Sequence, residues 1–519
     1  MEEKYAQLEK EELGVVVGGK KFTRFLYTKH FVLLPQAANL STVNNSSAPA
    51  EMGTGSVLDD GTREGLDRPL SLDELTRALR SFERNKTPGS DGLPVELYSA
   101  LWDLVGQDLL EVYDSALRAG EMCKSMRKGI ITLIYKRKGE REEIKNWRPI
   151  SLLNVDYKIL AKVVANRVRS VLESVIHPDQ TCAVPGRKIA ESLALVRDTI
   201  AYVQDRRVDA CLVSLDQEKA FDRVSHVYMR DVLSKLGFGE GICNWIRLLY
   251  TNIVSAVSIN GWESDSFPVR SGVRQGCPLS PALFVCCMEP FAASIRKDVS
   301  LKGVTIPGSG GLQVKTSLYM DDVAVFCTDR RSVSRLLDIC GQFELASGAK
   351  VNRGKSEAMF FGNWDDRSFI PFTIRTDYLK VLGVWFGGAG ACTKTWEERI
   401  SKLGRWVHRS LSIAGKNLVV RCEGLSVLLY VAQAWPIPRT CAAAVTRAIF
   451  HFIWGSRMDR VRRDTMYKDL ENGGKDVPNA TLTLMATFVC GCIKLCVDPR
   501  VIRDGLDDRV KAIVKAFRT

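Results

Sequence analysis

The sequence predicts an α+β (mixed α/β) fold in which buried strands bring acidic residues to one edge of a sheet. The apolar run 210–215 leads directly into Asp216, and the apolar run 323–327 directly follows Asp321 and Asp322. Short apolar runs of this length, bounded by polar residues, are typical of buried strands. A length of 519 residues with 45% hydrophobic residues is enough for several subdomains with more than one core.

The charge of the chain indicates an acidic partner. The formal net charge is +13, and basic residues are concentrated in the stretches 124–148, 394–421 and 457–468. Neutralisation of phosphates dominates nucleic-acid affinity, so these stretches are candidate surfaces for a nucleic-acid backbone. The alternative for each stretch is a solvated helix face.

The spacing of the cysteines and the first residues of the printed sequence give an indication of the cellular compartment. Fifteen cysteines are scattered without paired spacing, and the printed sequence opens with Met1-Glu2-Glu3-Lys4, which is unlike a signal peptide. No apolar stretch approaches the ~20 residues of a spanning helix. We therefore expect reduced thiols and an intracellular protein of the nucleus and/or cytoplasm, neither secreted nor associated with a membrane.

The N-terminal third divides into an irregular and a helical part. Residues 1–69 contain a stretch rich in Ser, Asn, Gly and Asp, which predicts a flexible extension. A capping-box pattern at Ser71 and Glu74 then predicts the start of a helix and of ordered structure. Pro94, after a Pro- and Gly-rich loop, predicts the first position of an amphipathic helix that continues through Val105.

The remaining elements follow from periodicity. A strand is predicted over 130–135 and a helix over 155–175, with a charged turn at 137–143 between them. Further predictions are a helix over 226–236, a hydrophobic hairpin over 381–385, helical periodicity over 396–430, and mostly helix after residue 435.

The acidic segments suggest metal chemistry. Neighbouring carboxylates repel one another, and a divalent cation, of which magnesium is the usual one, relieves that repulsion. Three carboxylates delivered by two strands suit two-metal phosphoryl transfer. The alternative is ordinary turn chemistry, because Asp tolerates unusual backbone angles, so other motifs have to agree.

Three such motifs occur in a fixed order with the acids. They are Lys86–Pro94 (KTPGSDGLP), Asn146–Asn154 (NWRPISLLN) and Ser271–Pro281 (SGVRQGCPLSP). The ordered set resembles the reverse transcriptases of non-LTR, LINE-type retrotransposons over about residues 71–429. The segment Asp216–Val224 (DQEKAFDRV) is similar to the vertebrate branch of that family. One departure lies at 182–183, where Cys and Ala stand in place of the family's usual Gly and aromatic residue.

The resemblance implies a right-hand polymerase fold with fingers, palm and a helical thumb. The implied domains are a flexible extension at 1–69, a helical fingers extension at 70–118, fingers and palm at 119–386, and a helical thumb-like region at 387–519. LINE-type polyproteins usually carry an endonuclease ahead of the polymerase. The residues before the first motif are too few for one, so we expect a chain that lacks the endonuclease.

The resemblance also assigns roles to residues. Asp216, Asp321 and Asp322 would be catalytic ligands of two Mg²⁺ ions, with Mn²⁺ as an alternative, and the backbone carbonyl of Gln217 would complete one shell. Lys355 would give a proton to pyrophosphate, although a surface lysine in a turn is the ordinary alternative. The implied nucleotide-binding residues are Lys136 (or Lys138 if the register slips), Arg148, Phe221, Gln275 and Gly276.

Each nucleotide-binding residue has an implied task. Lys136 and Arg148 would hold the triphosphate. Phe221 would exclude a 2′-hydroxyl, although an isolated Phe is more often core. Gln275 would line the pocket, and Gly276 would let the backbone approach the template base. Asp222 falls outside this set and is predicted to be structural.

The implied partners are an RNA template, a DNA or RNA primer and dNTPs, with a separate nuclease or a pre-existing nick needed for integration. Two alternatives remain open. One is a catalytically silent, retroelement-derived RNA-binding protein or relic. The other is an RNA-dependent RNA polymerase, which would share the Asp-Asp turn but would not be expected to carry a bulky Phe221.

Overall fold

The computed structural model describes residues 57–137, 139–306, 309, 311–403 and 411–497. Its strands and helices are interspersed along the chain, and the strands predicted over 130–135, 210–215 and 323–327 are present. The strands are β1 Lys128–Tyr135, β2 Trp147–Leu153, β3 Ala210–Leu215, β4 Val254–Ile259, β5 Trp262–Glu263, β6 Phe267–Pro268, β7 Val304–Thr305, β8 Gln313–Val314, β9 Thr316–Tyr319, β10 Asp322–Cys327, β11 Glu357–Phe361, β12 Thr373–Arg375, β13 Tyr378–Val381 and β14 Val384–Gly387.

The helices flank these strands and continue beyond them. They are α1 Asp60–Asp67, α2 Leu72–Arg80, α3 Val95–Ala100, α4 Trp102–Ala119, α5 Lys124–Arg127, α6 Val155–Val175, α7 Ile189–Arg206, α8 Ala220–Arg223, α9 His226–Lys235, α10 Glu240–Tyr250, α11 Ser280–Lys297, α12 Arg330–Ser347, α13 Ala391–Ile400, α14 Ile413–Val419, α15 Ser426–Ala432, α16 Arg439–Trp454, α17 Arg463–Tyr467 and α18 Ala480–Val497. A π-helical turn, Val420–Leu425, joins α14 to α15. The fold class is α+β, as the sequence predicted.

Two sheets organise the strands. The first runs in the order β12-β11-β3-β10-β9, and the second in the order β2-β1-β4-β5 with β6 also paired to β4. β1 pairs with β2 in antiparallel register and with β4 in parallel register. β13 and β14 form a separate hairpin that turns at Leu382 and Gly383, which confirms the predicted hydrophobic hairpin.

Alternation along β3 and β10 gives the first sheet two buried faces. Successive side chains of a strand point to opposite faces. Cys211, Val213 and Leu215 contribute to the larger core, which also contains α6, α9, α11 and α12. Ala210 and Leu212 contribute to a second core, formed with α7 and the β13–β14 hairpin. Burying an unpaired charge inside a sheet that is covered on both faces is costly, and the acidic motifs lie at the ends of the strands.

Helix α11 lies in the larger core. Fourteen of its 18 residues are buried, including the aromatic side chains of Phe284 and Phe291 and the sulfur-containing side chains of residues 286–288. It therefore packs against residues that lie beside the ends of β3 and β10. A separate third core holds α13 together with the helices after residue 411.

The N-terminal boundary is earlier than predicted. The capping box of Ser71 and Glu74 is present at the start of α2, but α1 precedes it within the segment predicted to be flexible. Leu58 and Leu66 are buried in the larger core, and the carboxylate of Asp67 accepts the N–H of Ile242 at 2.8 Å. A few apolar anchors thus order residues 57–69 despite their polar composition, whereas residues 1–56 lie outside the described residues.

The helix predicted from Pro94 through Val105 is interrupted. Pro94 is the N-cap of α3 rather than its first residue, and α3 ends at Ala100, with Leu101 separating it from α4. Trp102 donates its indole N–H to the hydroxyl of Thr76 at 2.8 Å. This tertiary contact reorients the chain at a position that local periodicity does not reveal. Among the described residues, no helix is both long and apolar enough to cross a membrane.

Candidate active site

The acidic segments lie at the same sheet edge because their strands are neighbours. β10 pairs with β3 in an antiparallel register that places Val323 opposite Leu215. The next position along the pair is occupied by Asp322 on one strand and Asp216 on the other. Directly opposed residues of an antiparallel pair project from the same face, so these two carboxylates belong to one site.

Asp321 belongs to a strained turn. The β9–β10 hairpin closes through Met320 and Asp321 alone, and Met320 has a φ of 60°. Positive φ at a residue other than glycine costs about 1–3 kcal/mol and persists only where surrounding contacts hold it. Such a contact is present, because the N–H of Met320 donates to Oε1 of Gln180 at 3.1 Å.

The three carboxylates interact electrostatically. Partial burial raises the pKa of Asp322 to about 6, with further contributions from the charges of Asp321 and Asp216. Burial also raises the pKa of Asp321, and the charge of Asp216 adds to that rise. Burial raises the pKa of Asp216 as well, but the positive charges of Lys355 and Lys136 oppose it. Without a cation, the site therefore disfavours the fully ionised set.

Asp216 is held by the loop before β11. Its N–H donates to Oγ of Ser356 at 3.1 Å, and its carbonyl accepts the N–H of Asn352 at 2.7 Å. The Asn352 side chain also opposes the rise that burial causes in the pKa of Asp216. Ser356 is fully buried and donates in turn to the carbonyl of Asn352 at 2.9 Å. The backbone of the first acid is thus fixed by one short loop.

The predicted basic residues converge on these acids from two parts of the chain. Arg148 lies on β2. Lys136 directly follows β1, and its ammonium group donates a hydrogen bond to the carbonyl of Lys145 at 2.7 Å. Partial burial lowers the pKa of Lys136, and so do the positive charges of Lys355 and Arg148, whereas Asp216 opposes the shift. Lys136 and Lys355 are therefore within electrostatic reach of Asp216, and Arg148 is within reach of Lys136. Lys138, the predicted substitute for Lys136, lies outside the described residues.

Phe221 is half-buried and lies on an aromatic support. Its ring stacks on Phe284 of α11, with ring centres 4.6 Å apart and planes 9° from parallel. The carbonyl of Phe221 accepts the N–H of Val273 at 2.6 Å. The ring and the backbone are therefore held separately, by α11 and by the segment 271–276. Because one face of the ring is taken by Phe284, only the rest of the ring is available for a ligand.

Gln275 and Gly276 join the first sheet to the second. The carbonyl of Gln275 accepts the N–H of Ser151 on β2 at 2.7 Å. Burial raises the pKa of Asp222, and the Gln275 side chain opposes that rise. Gly276 has a φ of 115°, and a Cβ there would lie 2.5 Å from the carbonyl oxygen of Ser151. The backbone at Gly276 therefore approaches β2 closely, whereas its approach to a template base stays a prediction. Asp222 is engaged through Gln275 and is not part of the acidic triplet.

The donor set fits a divalent cation. Within the described part of the chain, no three His, Cys, Asp or Glu side chains converge into a ready metal site. The fit rests on chemistry: Asp216, Asp321 and Asp322 supply hard oxygen donors from adjacent chain segments, and each carboxyl group is partly desolvated beside another. Hard oxygen donors of this kind suit Mg²⁺ or Mn²⁺.

Some contributors were not among the residues singled out from the sequence. Ser356 and Asn352 flank the predicted Lys355, so their position was visible while their bonds to Asp216 were not. Gln180 lies just before the atypical residue at 182, and Phe284 lies in an apolar run typical of any buried helix. Their partners are distant in sequence, and no local spacing signals such contacts.

Comparison with known proteins agrees with this geometry. Residues 134–386 match the family model described as reverse transcriptase (RNA-dependent DNA polymerase). The chain is 34% identical over 410 residues to the transposon TX1 uncharacterized 149 kDa protein of Xenopus laevis, covering 77% of this chain and 31% of that protein. It is 25% identical over 357 residues to the retrovirus-related Pol polyprotein from type-1 retrotransposable element R2 of Popillia japonica, covering 66% of this chain and 47% of that protein.

A third relative is the RNA-directed DNA polymerase from mobile element jockey of Drosophila melanogaster, 24% identical over 308 residues, covering 57% of this chain and 32% of that protein. The chain thus spans less than half the length of each of these relatives. The family generally uses a divalent metal. The chain therefore carries a domain of the reverse transcriptase (RNA-dependent DNA polymerase) family, of the kind found in non-LTR retrotransposons.

Proposed function

We propose that this chain is an RNA-directed DNA polymerase that adds dNTPs to the 3′-hydroxyl of a primer. The observation that carries the proposal is the meeting of Asp216, Asp321 and Asp322 with the cations Lys136 and Lys355 at one sheet edge. Acids beside cations suit a reaction in which a metal-bound triphosphate is attacked and pyrophosphate leaves.

The acids would hold two Mg²⁺ ions, with Mn²⁺ as an alternative. When bound, these ions would lower the pKa of the primer hydroxyl and neutralise the charge that develops on the phosphates. The carboxylates would set the spacing of the reacting groups, and the carbonyl of Gln217 would add an oxygen donor. The clamp on Asp216 by Ser356 and Asn352 supports this assignment, because positioning is the main task of a protein in phosphoryl transfer.

The cations would act on the triphosphate. Arg148 can donate two parallel hydrogen bonds to phosphate oxygens, whereas Lys136 supplies a mobile charge. Lys355 is exposed and close enough to influence the pKa of Asp216, which supports a role as proton donor to the pyrophosphate leaving group.

Substrate choice would depend on Phe221. A ring beneath the sugar leaves no room for a 2′-hydroxyl, so dNTPs would be accepted and rNTPs rejected. The stack on Phe284 supports this role because it prevents the ring from moving away. Gln275 would line the nucleotide pocket, and Gly276 would bring the backbone close to the template base.

We further propose fingers and palm within 119–386, a fingers extension at 70–118 and a thumb-like region at 387–519. An RNA template and a DNA or RNA primer would lie along the basic stretches, which favours a location in the nucleus and/or cytoplasm. A separate nuclease or a pre-existing nick would supply the primer end for integration.

Primer extension by the purified chain tests the proposed activity. We expect incorporation of dNTPs on an oligonucleotide-primed RNA template with Mg²⁺, and gain of rNTP incorporation in Phe221→Ala. Incorporation of rNTPs by the unaltered chain would favour an RNA polymerase. Binding of the primed RNA by a folded chain without extension would favour a silent RNA-binding protein.

A further inference from the structure

The turn that carries Asp321 depends on a side chain from another part of the chain. Gln180 precedes α7 and is 1% exposed. Its Oε1 accepts the N–H of Met320 at 3.1 Å, and its Nε2 donates to the carbonyl of Met320 at 3.5 Å. A buried amide therefore bonds both backbone groups of the residue with positive φ. The strained backbone of Met320 therefore has a hydrogen-bond partner for both its N–H and its carbonyl.

The backbone around Gln180 reinforces this contact. The N–H of Thr181 donates to the carbonyl of Leu318 at 3.1 Å, and the N–H of Leu318 donates to the carbonyl of Asp179 at 2.8 Å. The segment 179–181 therefore runs beside β9 and forms an isolated parallel bridge between Gln180 and Leu318. Oε1 of Gln180 also accepts the N–H of Cys182 at 3.0 Å, which fixes the orientation of its amide.

The segment is itself anchored to rigid elements. Arg187 donates to the carbonyl of Gln180 at 2.9 Å and to that of Ile176, at the end of α6, at 2.7 Å. Asp179 is buried and accepts two hydrogen bonds from Arg296 of α11, at 2.9 and 3.0 Å. Gln180 thus links the turn to two helices of the larger core. A turn held in this way keeps its geometry while ligands come and go.

We propose that Gln180 is a positioning residue for the carboxylates of Asp321 and Asp322. It touches neither carboxylate; it holds the backbone of Met320, which sets the direction in which the following acids project. The catalytic part of this inference rests on the proposed polymerase function. The structural part, that Gln180 holds the turn, stands on the hydrogen bonds alone.

Hydrogen–deuterium exchange of the metal-free protein tests the structural part. Gln180→Met keeps the side-chain length but removes both bonds, and we expect exchange at Met320 to become about tenfold faster. Gln180→Glu keeps an acceptor for the Met320 N–H and should exchange much more slowly than the Met variant. Peptides spanning 316–323 report this amide. Unchanged exchange in Gln180→Met would overturn the proposal.

Steady-state kinetics tests the catalytic part. A small misplacement of the acids is expected to lower kcat of Gln180→Met by about 10²-fold with little change in KM for dNTP, because the nucleotide-binding residues are untouched. We also expect a higher Mg²⁺ concentration for half-maximal rate. A kcat within twofold of the unaltered chain would overturn the positioning role.

Ser332→Ala is the matched control for loss of a buried polar bond. Ser332 is fully buried and accepts the N–H of Lys302 at 2.8 Å, away from the acids. It should lower thermal stability without changing Met320 exchange or the Mg²⁺ dependence. Equal effects of Gln180→Met and Ser332→Ala on Met320 exchange and on the Mg²⁺ dependence would show that Gln180 has only a general structural role. If the unaltered chain does not extend primers, the proposed function fails, while the exchange result still decides whether Gln180 holds the turn.

Discussion

Weakening the support of Phe221 should lower the selectivity for dNTPs over rNTPs. Phe284 is fully buried on α11 and stacks face to face on Phe221. Phe284→Leu keeps an apolar side chain of similar volume but removes this stack. Aromatic pairs contribute about 0.5–1.5 kcal/mol beyond their buried area. If that energy holds the ring against the sugar, its loss corresponds to about a 2- to 13-fold fall in discrimination.

Phe291→Leu provides the control on the same helix. Phe291 is 1% exposed and lies two turns further along α11, where it pairs with Phe343 at a ring distance of 4.7 Å. Both substitutions remove one buried ring from an aromatic pair, so both should cost about 1–2 kcal/mol of stability. Only Phe284 touches the proposed selectivity residue.

The assay compares kcat/KM for a dNTP and for the matching rNTP on the same primed RNA template. We expect discrimination to fall in the order unaltered chain and Phe291→Leu, then Phe284→Leu, then Phe221→Ala. Equal discrimination in Phe284→Leu and the unaltered chain would refute the proposed support. An equal loss in Phe291→Leu would show that general destabilisation of α11 is responsible.

Two further predictions concern stability. The pKa of Asp322 is raised in the folded protein from the ordinary 3.8 to about 6, so stability falls as pH rises between these two values and the loss is complete above about pH 6. In EDTA, Asp322→Asn should therefore raise Tm at pH 7.5 but not below pH 4, and the exposed Asp338→Asn should change Tm at neither pH. Added Mg²⁺ should raise Tm of the unaltered chain more than that of Asp322→Asn. Gly276 and Gly261 both have positive φ, but only a Cβ at 276 meets a backbone oxygen, that of Ser151; Gly276→Ala should therefore lower Tm more than Gly261→Ala, whose cost is about 1–3 kcal/mol. Equal losses of Tm in the two variants would mean that the backbone at 276 can move away from β2 at little cost in free energy.

The elements that the sequence predicted well are those whose signal is local. Helix α6 occupies the predicted residues 155–175, and β3 and β10 form where the apolar runs are. In these elements the hydrophobic pattern and the final burial agree, because each is packed along its length. The sequence also predicted that the two acidic segments lie at one edge of a sheet, because each adjoins an apolar run that was predicted to be a strand.

The elements that differed depend on tertiary contacts. Leu58, Leu66 and Asp67 order the segment around α1, although its composition is polar. The break at Leu101 follows from the bond between Trp102 and Thr76. Neither contact has a spacing that could be detected along the chain.

The candidate site shows the same division. Its acids and cations were predicted from motifs and a family resemblance. The residues that hold them, such as Gln180, Asn352 and Ser356, were not, because each acts through a hydrogen bond to the backbone of a residue far away in the sequence. Any side chain with a suitable donor or acceptor could do so, and only the folded chain reveals which one does.

The most direct test of the central claim is primer extension by the purified chain beside Asp321→Asn and Asp338→Asn. Asp321→Asn keeps the side-chain shape but removes a proposed metal ligand worth several kcal/mol of transition-state stabilisation, so we expect extension on primed RNA to fall by more than about 10²-fold. Asp338→Asn, an exposed acid on α12, should extend like the unaltered chain. Extension by Asp321→Asn at the unaltered rate, or none by a folded unaltered chain that binds the primed template, would contradict the assignment of this site.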